Sequence, residues 1–190
     1  QVVHGLPLGI TLTLEVGEKE QFISRYLETA EPKSGQRVLE HLLDGQQRLT
    51  ALWRAFHNNY EKETYYIYME EFDKFEGDEN PPDMSAYCRT RYKKANGDRY
   101  PRWCDDPHEC LRRGYIPTHL LKPEDIQAEI DTWLDEATAP DEPSDGKEAL
   151  KAFYEYKQRV SDRIRDLRST VANYNLPFLS LPSSTDKSVA

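Results

Sequence analysis

Residues 38–52 read VLEHLLDGQQRLTAL, and the change of pattern within this stretch decides the fold around it. The apolar run 38–43 has the composition of a buried strand. It stops at Asp44 and Gly45, and a helix is predicted from Gln46, because turn residues separate the two apolar patterns. A strand that leads through a glycine turn into a helix predicts a fold that mixes strands and helices.

The helix after the turn is predicted to run from Gln46 to about Tyr60. Its apolar residues recur every three or four positions, so they form one stripe along a single face. The stripe consists of Leu49, Leu52, Trp53, Phe56 and Tyr60.

Similar patterns predict further elements along the chain. Strands are expected at 9–16, 65–70 and 176–182, where β-branched, aromatic or apolar residues dominate. A helix is expected to begin near Pro123, with proline and acidic residues in its first turn. A longer helix is expected over 147–173, with an apolar stripe that packs on the rest of the domain.

Four stretches show no helix or strand pattern. The segment 19–36 is polar and is expected to be irregular or a short edge piece. The stretches 71–85 and 139–146 are acidic and contain prolines, as is typical of an exposed loop and a linker. The stretch 86–116 mixes aromatic, arginine and turn residues and receives no assignment.

The order of these elements predicts an α/β or α+β fold. We expect a small mixed-sheet domain over 1–120, followed by a helical extension over 121–190 that ends in a short strand. A length of 190 residues suffices for one substantial core with such an annex.

The composition indicates a polar globular protein, with 37% hydrophobic and 31% charged residues. No apolar run approaches the roughly 20 residues of a membrane span, and the first residues lack a signal-peptide pattern. A net charge of −9 argues against a surface that binds nucleic acid throughout, although a local basic groove is compatible with it. Three cysteines do not make a disulfide scaffold, so we expect a reducing cytoplasm.

The motif DGQQR at 44–48 has two physical interpretations, of which the first is a helix cap. In a capping box, Asp44 would accept an N–H of the first turn, and Gln47 would reach back to the N–H of Asp44. Such a cap is worth about 1 kcal/mol. Arg48 would then be a solvated helical residue.

The second interpretation is an anion site. The first N–H groups of a helix lack intrahelical partners and lie at its positive end, so a phosphate fits there. Gly45 has no Cβ and would let an oxygen approach its backbone, while Arg48 would be free to bind phosphate through two N–H groups. Asp44 would repel a bare phosphate, which implies an intervening divalent cation, water or sugar hydroxyl.

The stretch HLLDGQQRLTALW (41–53) closely resembles the signature of the DGQQR family. This family comprises the N-terminal domains of GmrSD-type, modification-dependent restriction enzymes and related phage-defence proteins. LPLGITLTLEV (6–16), GYIPTHLL (114–121) and NYNLPFLSLP (173–182) resemble other landmarks of the family, so the resemblance covers most of the chain. The family is similar to the ParB–sulfiredoxin fold, a small α/β domain that binds and hydrolyses nucleotides.

The resemblance implies a domain that uses an NTP (GTP, ATP or CTP) with Mg²⁺. It also implies two partners, namely DNA that carries modifications and a nuclease domain or subunit outside this chain. Asp44 would bind the metal or position water, the two glutamines would orient nucleotide or water, and Arg48 would hold phosphate. The implied catalytic and nucleotide-binding residues are Asp44, Gly45, Gln46, Gln47, Arg48 and Thr50.

The resemblance further implies a domain that is incomplete at its N-terminus. In the family, a Gln-Arg pair with an aromatic residue shortly after it usually lies upstream, and an Asn-rich Gly motif normally follows the final strand. The sequence contains neither of these motifs. The first residue is Gln1 rather than Met, so we expect a part of a longer protein. An HNH-type pattern of histidines and asparagine is also missing from the sequence, so a nuclease module is expected elsewhere.

The segment 89–103, RTRYKKANGDRYPRW, is the best candidate for contact with DNA. Its basic residues attract phosphate and its aromatic residues can stack on bases. The alternative is a solvated hairpin, which the Asn-Gly pair predicts. The candidate DNA contacts are Arg89, Arg91, Lys93, Lys94, Tyr100 and Trp103, and the segment also contains Tyr92, Arg99 and Arg102.

A zinc site at Cys88, Cys104, His108 and Cys110 is not favoured. The spacing of the last three fits no pairing of the Cys-x₂₋₄-Cys type, so buried or incidental cysteines are the better interpretation.

Two functions of different classes follow. The first is a nucleotide-binding, NTP-hydrolysing regulatory domain of a DNA restriction protein. The second is a non-catalytic sensor that binds modified DNA through 89–103 and keeps DGQQR as a cap. Direct DNA cleavage at Asp44, as in ParB-like nucleases, ranks below both, because the sequence shows no second metal-binding carboxylate.

Overall fold

In a computed structural model of the chain, the described residues are 1–17, 25–27, 30, 37–75, 81–141 and 146–185. These residues form an α+β fold, as the sequence predicts at the level of class. The strands are Thr11–Glu15 (β1), Glu40–Asp44 (β2), Glu63–Asp73 (β3), Ala86–Thr90 (β4), Tyr92–Lys93 (β5), Arg99–Tyr100 (β6), Arg113–Pro117 (β7) and Phe178–Leu181 (β8). The helices are Gln46–His57 (α1), Pro107–Arg112 (α2), Gln127–Ala137 (α3) and Lys147–Ala172 (α4).

The chain divides into two compact units. The first consists of 1–54 together with 174–190, and the second consists of 55–173. The sequence predicted a different boundary, at residue 120, between a mixed-sheet domain and a helical extension. That domain boundary stays a prediction.

The first unit is built on a three-stranded sheet in the order β2–β1–β8. The central strand β1 runs antiparallel to β2 and parallel to β8. Tyr174 fixes the segment before β1, because its hydroxyl donates to the carbonyl of Leu6 and accepts the N–H of Leu8. Residues from the two ends of the chain therefore form one sheet.

The second unit contains an antiparallel sheet in the order β4–β3–β7 and the separate hairpin β5–β6. The central strand β3 forms its core, and residues 66–69 are at most 4% exposed. Strand β3 is buried on both faces, as its nearly continuous apolar and aromatic run requires. Helix α4 contributes the buried residues Val160, Ile164 and Leu167.

The clearest sequence patterns are confirmed. Strands form within the predicted stretches 9–16 and 176–182, and around 65–70. The long helix ends at Ala172, one residue before its predicted end. Its apolar stripe packs on the second unit through Val160, Ile164 and Leu167, whereas Leu150 at its start is exposed.

Several predicted details are wrong. Helix α1 ends at His57 rather than near Tyr60. Helix α3 begins at Gln127 rather than near Pro123, since 122–125 form bends after a 3₁₀ turn at 118–121. Among the described strands, the one predicted to be buried at 38–43 lies at the edge of its sheet as β2, and only His41 of its five residues is buried. An edge position leaves one side of the strand without a neighbour, which explains its exposure.

The stretch 86–116, which had no assignment, contains β4, β5, β6, α2 and most of β7. The sequence Asp106-Pro107 marks the start of α2. Asp106 caps the helix by accepting the N–H of Glu109 at 3.1 Å, and Pro107 occupies the first helical position. The predicted loop 71–85 is partly wrong, since 71–73 belong to β3.

Other predictions lie wholly or partly outside the described residues, namely those for 19–36 and for the linker 139–146. Within the described part of the chain, the helices lack the combination of length and apolarity that crossing a membrane requires.

Two glycines with left-handed backbone provide a test of the second unit. Gly114 has φ +69° and a Cβ there would lie 2.6 Å from the carbonyl oxygen of Met69, whereas Gly97 has φ +88° and open space around it. We expect Gly97→Ala to lower the free energy of unfolding by about 1 kcal/mol, from backbone strain alone. Gly114→Ala should cost at least about 3 kcal/mol, because a backbone clash adds to the strain. Urea denaturation followed by circular dichroism would measure both, and equal losses would contradict the packing of Gly114.

Candidate functional site

The junction between β2 and α1 turns at Gly45. This residue has φ +95°, a conformation that residues with a Cβ rarely adopt. Its carbonyl accepts the N–H of Leu49 at 3.0 Å, which is the first hydrogen bond of the helix. Gly45 is therefore the N-cap residue of α1.

The predicted capping box at Asp44 is wrong. The carboxylate accepts the N–H of its neighbour Gly45 at 2.7 Å instead of an N–H within the first turn. The side chain of Gln47 makes no hydrogen bond to any described residue, so it does not reach back to Asp44. The reason is geometric, since Gly45 occupies the cap position and places Asp44 one residue too early.

The prediction that Arg48 is unengaged is also wrong. Its guanidinium donates to the carbonyls of Leu8 and Ile10 and pairs with the Asp44 carboxylate at 3.3 Å. A Cβ on Gly9 would lie 2.5 Å from Nη1 of Arg48, so a larger residue there would displace the guanidinium from this position. These bonds use three of the five N–H groups of the guanidinium and leave two for another acceptor.

The expected approach to the Gly45 backbone is closed on one side. A Cβ at Gly45 would lie 3.2 Å from Oγ1 of Thr11 and 3.4 Å from Nη2 of Arg48. Thr11 is 1% exposed and belongs to the central strand β1. The missing Cβ therefore makes room for protein atoms rather than for a ligand oxygen.

Three backbone donors and two side chains of the junction remain unengaged within the described residues. The N–H groups of Gln46, Gln47 and Arg48 precede the first helical bond and have no other partner there. Both glutamine side chains are exposed and make no hydrogen bond with described residues. The Asp44 carboxylate is 72% exposed. The positive end of α1 thus presents amide groups beside an accessible carboxylate.

Only a limited role in metal binding fits this geometry. Among the described residues, no group of three or more His, Cys, Asp or Glu side chains lies together. Magnesium is commonly held by one or two carboxylates, with waters and substrate phosphates completing the shell. Asp44 fits as such a single ligand. Thr50, the remaining predicted residue, lies in α1 and is half-buried.

The structure separates the six predicted DNA contacts into three environments. Arg91 is 2% exposed, and its guanidinium donates to Oγ1 of Thr64 at 3.2 Å and pairs with Asp105. The prediction that it contacts DNA at the surface is therefore wrong, because burial makes it a structural cation. Lys93, Lys94 and Tyr100 belong to the β5–β6 hairpin, whereas Arg89 and Trp103 line a separate cavity.

The predicted Asn-Gly hairpin is confirmed. Lys94 and Asp98 close the turn with a backbone bond of 2.9 Å. On the hairpin, the rings of Tyr92 and Tyr100 stack with centroids 5.8 Å apart, and Nζ of Lys94 lies 4.1 Å from the Tyr100 centroid. Tyr92 is 56% exposed. The hairpin thus presents an aromatic platform together with cations.

A groove of about 700 Å³ lies beside the hairpin. Its cationic lining residues are Lys62, Lys93 and Arg99 together with the buried Arg91, and Glu61 is its only acidic one. Lys62 and Lys93 form no ion pair with described residues, so their charge is available to an anionic ligand. The described part of the chain contains this groove and two further cavities. Residues 44–48 line none of the three.

Two of the three cysteines are buried thiols. Burial raises the pKa of Cys110 to about 12 and also raises that of Cys104, so both stay protonated at neutral pH. The Cys110 thiol donates to the carbonyl of Trp103 at 3.1 Å. Cys88 is exposed, and His108 lies 3.5 Å from Asp141. These contacts fit structural roles.

Sequence reasoning missed Tyr87, Tyr115 and Arg113, which line the cavity with Arg89 and Trp103. Tyr87 lies on β4 and Tyr115 on β7, and both strands pair with β3. Each of these short strands contains a tyrosine. The sequence did not indicate that the two tyrosines lie close together, because no strand was assigned within 86–116.

No family profile, no curated protein and no solved structure matches this chain.

The contacts of Arg48 lead to a stability test. Arg48→Ala removes the partner of the Leu8 and Ile10 carbonyls, and we expect a loss of about 1–2 kcal/mol, since the side chain is one-third exposed. Arg48→Lys should recover only part of this loss, because an ammonium can donate to a carbonyl but cannot reproduce the planar fork. Gln47→Ala is the control and should change stability by less than about 0.5 kcal/mol. Urea midpoints would decide, and equal midpoints for Arg48→Ala and Gln47→Ala would contradict the anchoring role.

Proposed function

We propose that this chain is a nucleotide-binding, NTP-hydrolysing regulatory domain of a modification-dependent DNA restriction or phage-defence protein. On this proposal its fold is a variant of the ParB–sulfiredoxin type, and a nuclease domain or subunit lies outside the chain. The specific sequence resemblance around DGQQR supports it. The exposed polar groups at the start of α1 support it as well.

The observation that carries the proposal concerns the two glutamines of the motif. Folding accounts for Gly45 through its backbone conformation and for Arg48 through its carbonyl contacts. Gln46 and Gln47 are exposed, and their side chains make no hydrogen bond within the described structure. Two consecutive amides at the positive end of a helix can donate to phosphate oxygens with both backbone and side-chain N–H groups.

Arg48 would assist from a fixed position. Its bonds to Leu8 and Ile10 hold the guanidinium in place before a ligand arrives, which lowers the ordering cost of binding. Its two remaining N–H groups can donate to a phosphate oxygen. Because it also pairs with Asp44, it offsets the repulsion between that carboxylate and a phosphate.

Asp44 would hold the magnesium ion that accompanies the nucleotide. The ion, when bound, would neutralise phosphate charge and lower the pKa of a coordinated water. Gln46 or Gln47 would orient the attacking water through an amide oxygen. The exposed carboxylate of Asp44 suits this role, since a magnesium ion that keeps its own water shell needs an accessible ligand.

Calorimetric titration of the chain with GTP, ATP and CTP in the presence of Mg²⁺ tests this proposal. The informative variant is Gln47→Pro, which removes one unpaired N–H in the first helical turn, where proline is tolerated. We expect this variant to weaken nucleotide binding about tenfold or more, because one hydrogen bond to a charged phosphate is lost. Gln47→Ala keeps the backbone N–H and should weaken binding less.

Helix content and urea midpoint would show that both variants fold. Absence of binding by the unaltered chain at millimolar nucleotide, or equal affinity of Gln47→Pro and the unaltered chain, would contradict the proposal.

A second candidate function, a sensor that binds DNA, is favoured by the hairpin. The exposed Tyr92 on its stacked partner Tyr100, with Lys93 and Lys94 beside them, matches the aromatic and cationic surface that binds single strands. This function would not require nucleotide.

Charge reversal tests the hairpin. Binding of a fluorescent single-stranded oligonucleotide should weaken with salt, and its log–log slope reports the number of phosphate contacts. The double variant Lys93→Glu/Lys94→Glu should weaken binding at least tenfold and flatten this slope by about 1.4, as two lost contacts require. The double variant Lys147→Glu/Lys151→Glu on α4 has the same net charge and serves as the control. Equal effects of the two variants would exclude a specific role for the hairpin.

A further inference from the structure

The second unit contains a cavity of about 320 Å³ that neither function above uses. Its volume lies at the lower end of the roughly 300–1,000 Å³ found for small-molecule sites. We call it the aromatic cavity. It is lined by Asp73, Phe75, Tyr87, Arg89, Trp103, Arg113 and Tyr115.

Three of the lining rings are nearly parallel. Tyr87 and Tyr115 stack with centroids 4.6 Å apart and planes at 15°, and Trp103 and Tyr115 lie 5.5 Å apart at 20°. These rings pack on the fully buried Tyr66, so the core fixes their orientation. Rings held this way can stack on a planar ligand without losing side-chain freedom.

The two arginines of the cavity differ in what they contact. Arg113 pairs with Glu109, and its guanidinium lies 4.5 Å from the Phe75 ring and 5.4 Å from the Trp103 ring. Its charge is therefore balanced. Arg89 is exposed, and its side chain has no hydrogen bond or ion pair with described residues. One cation at the cavity is thus available to an anion.

The carboxylate of Asp73 is already engaged. One oxygen accepts the hydroxyl of Tyr68 and the other accepts the N–H of Phe75, each at 2.8 Å. Its charge is spread over these donors, which weakens its opposition to an anion at Arg89. Each oxygen keeps a lone pair that could accept an amino group of a ligand.

The charged residues that line the aromatic cavity indicate the charge of the ligand that it can bind. Aromatic cages that bind quaternary ammonium groups rely on attraction between a cation and the ring faces. Here the unpaired Arg89 would repel such a ligand. A planar ring that carries a negative group satisfies both the stacked rings and the unpaired arginine.

We propose that the aromatic cavity binds a nucleotide unit, with its base against the Tyr87, Trp103 and Tyr115 rings and its phosphate on Arg89. The unit is either a free nucleoside monophosphate or an unpaired nucleotide within a strand, which have this chemistry in common. This site is formed by residues other than Gln46 and Gln47, and it does not rest on nucleotide binding at the start of α1.

Calorimetric titration distinguishes the parts of this proposal. The ligands are dAMP, deoxyadenosine, deoxyribose 5-phosphate and a short single-stranded oligoadenylate, each without Mg²⁺. We expect dAMP or the oligonucleotide to bind, and deoxyribose 5-phosphate to bind at least tenfold more weakly, because it lacks a base to stack. Tighter binding of the oligonucleotide per site than of dAMP identifies a strand as the source, and the reverse identifies the free nucleotide.

The exposed residue Arg89 provides the variant. Arg89→Ala should weaken binding of the phosphate-bearing ligand about tenfold and leave deoxyadenosine unchanged, while Arg89→Lys should recover part of the loss. Arg159→Ala, at another exposed arginine of the same unit, is the matched control. Gln47→Pro should leave this binding intact, which separates it from the site at α1. Absence of binding by dAMP and the oligonucleotide at millimolar concentration, or an Arg89→Ala affinity equal to that of Arg159→Ala, would overturn the proposal.

Discussion

The guanidinium of Arg48 connects the segment before β1 with the end of β2, and the geometry of the DGQQR motif depends on this connection. It donates to the carbonyls of Leu8 and Ile10 and pairs with Asp44. Gly9 and Gly45 both have positive φ, which favours glycine, and a Cβ on Gly9 would also displace the guanidinium. Folding thus explains the glycine and the arginine of the motif. It leaves the two exposed glutamines without a structural role within the described residues, as expected for side chains that bind a ligand.

The spacing of apolar residues along the sequence predicted the elements that bury one face. The alternation in 9–16 gave β1, and the apolar stripe in 147–173 gave α4, because periodicity reflects which face of an element is buried. The parallel pairing of β1 with β8 joins residues more than 160 positions apart, and no local feature indicates it. The burial of Arg91 could not be predicted either, because its partner Asp105 is placed by tertiary structure.

The candidate site shows the same division between local and tertiary information. The sequence located the strand, the glycine turn and the start of α1 correctly. It misassigned the cap by one residue, because Asp44 and Gly45 are both acceptable caps and the choice depends on backbone angles. It also left Arg48 without its partners, since the carbonyls of Leu8 and Ile10 come from a segment nearly 40 residues away. An arginine on a polar helix face gives no sign of a backbone acceptor at that distance.

The acidic composition constrains how this chain can bind a nucleic acid. With a net charge of −9, the chain as a whole repels a polyanion, and at physiological salt an exposed charge acts over only about 8 Å. A few lysines on the hairpin therefore supply local contacts but little long-range attraction. Stacking on Tyr92 or in the aromatic cavity must then provide much of the affinity, and stacking requires bases that are not paired within a duplex. A chain of this composition should consequently favour unpaired nucleotides over intact double helix.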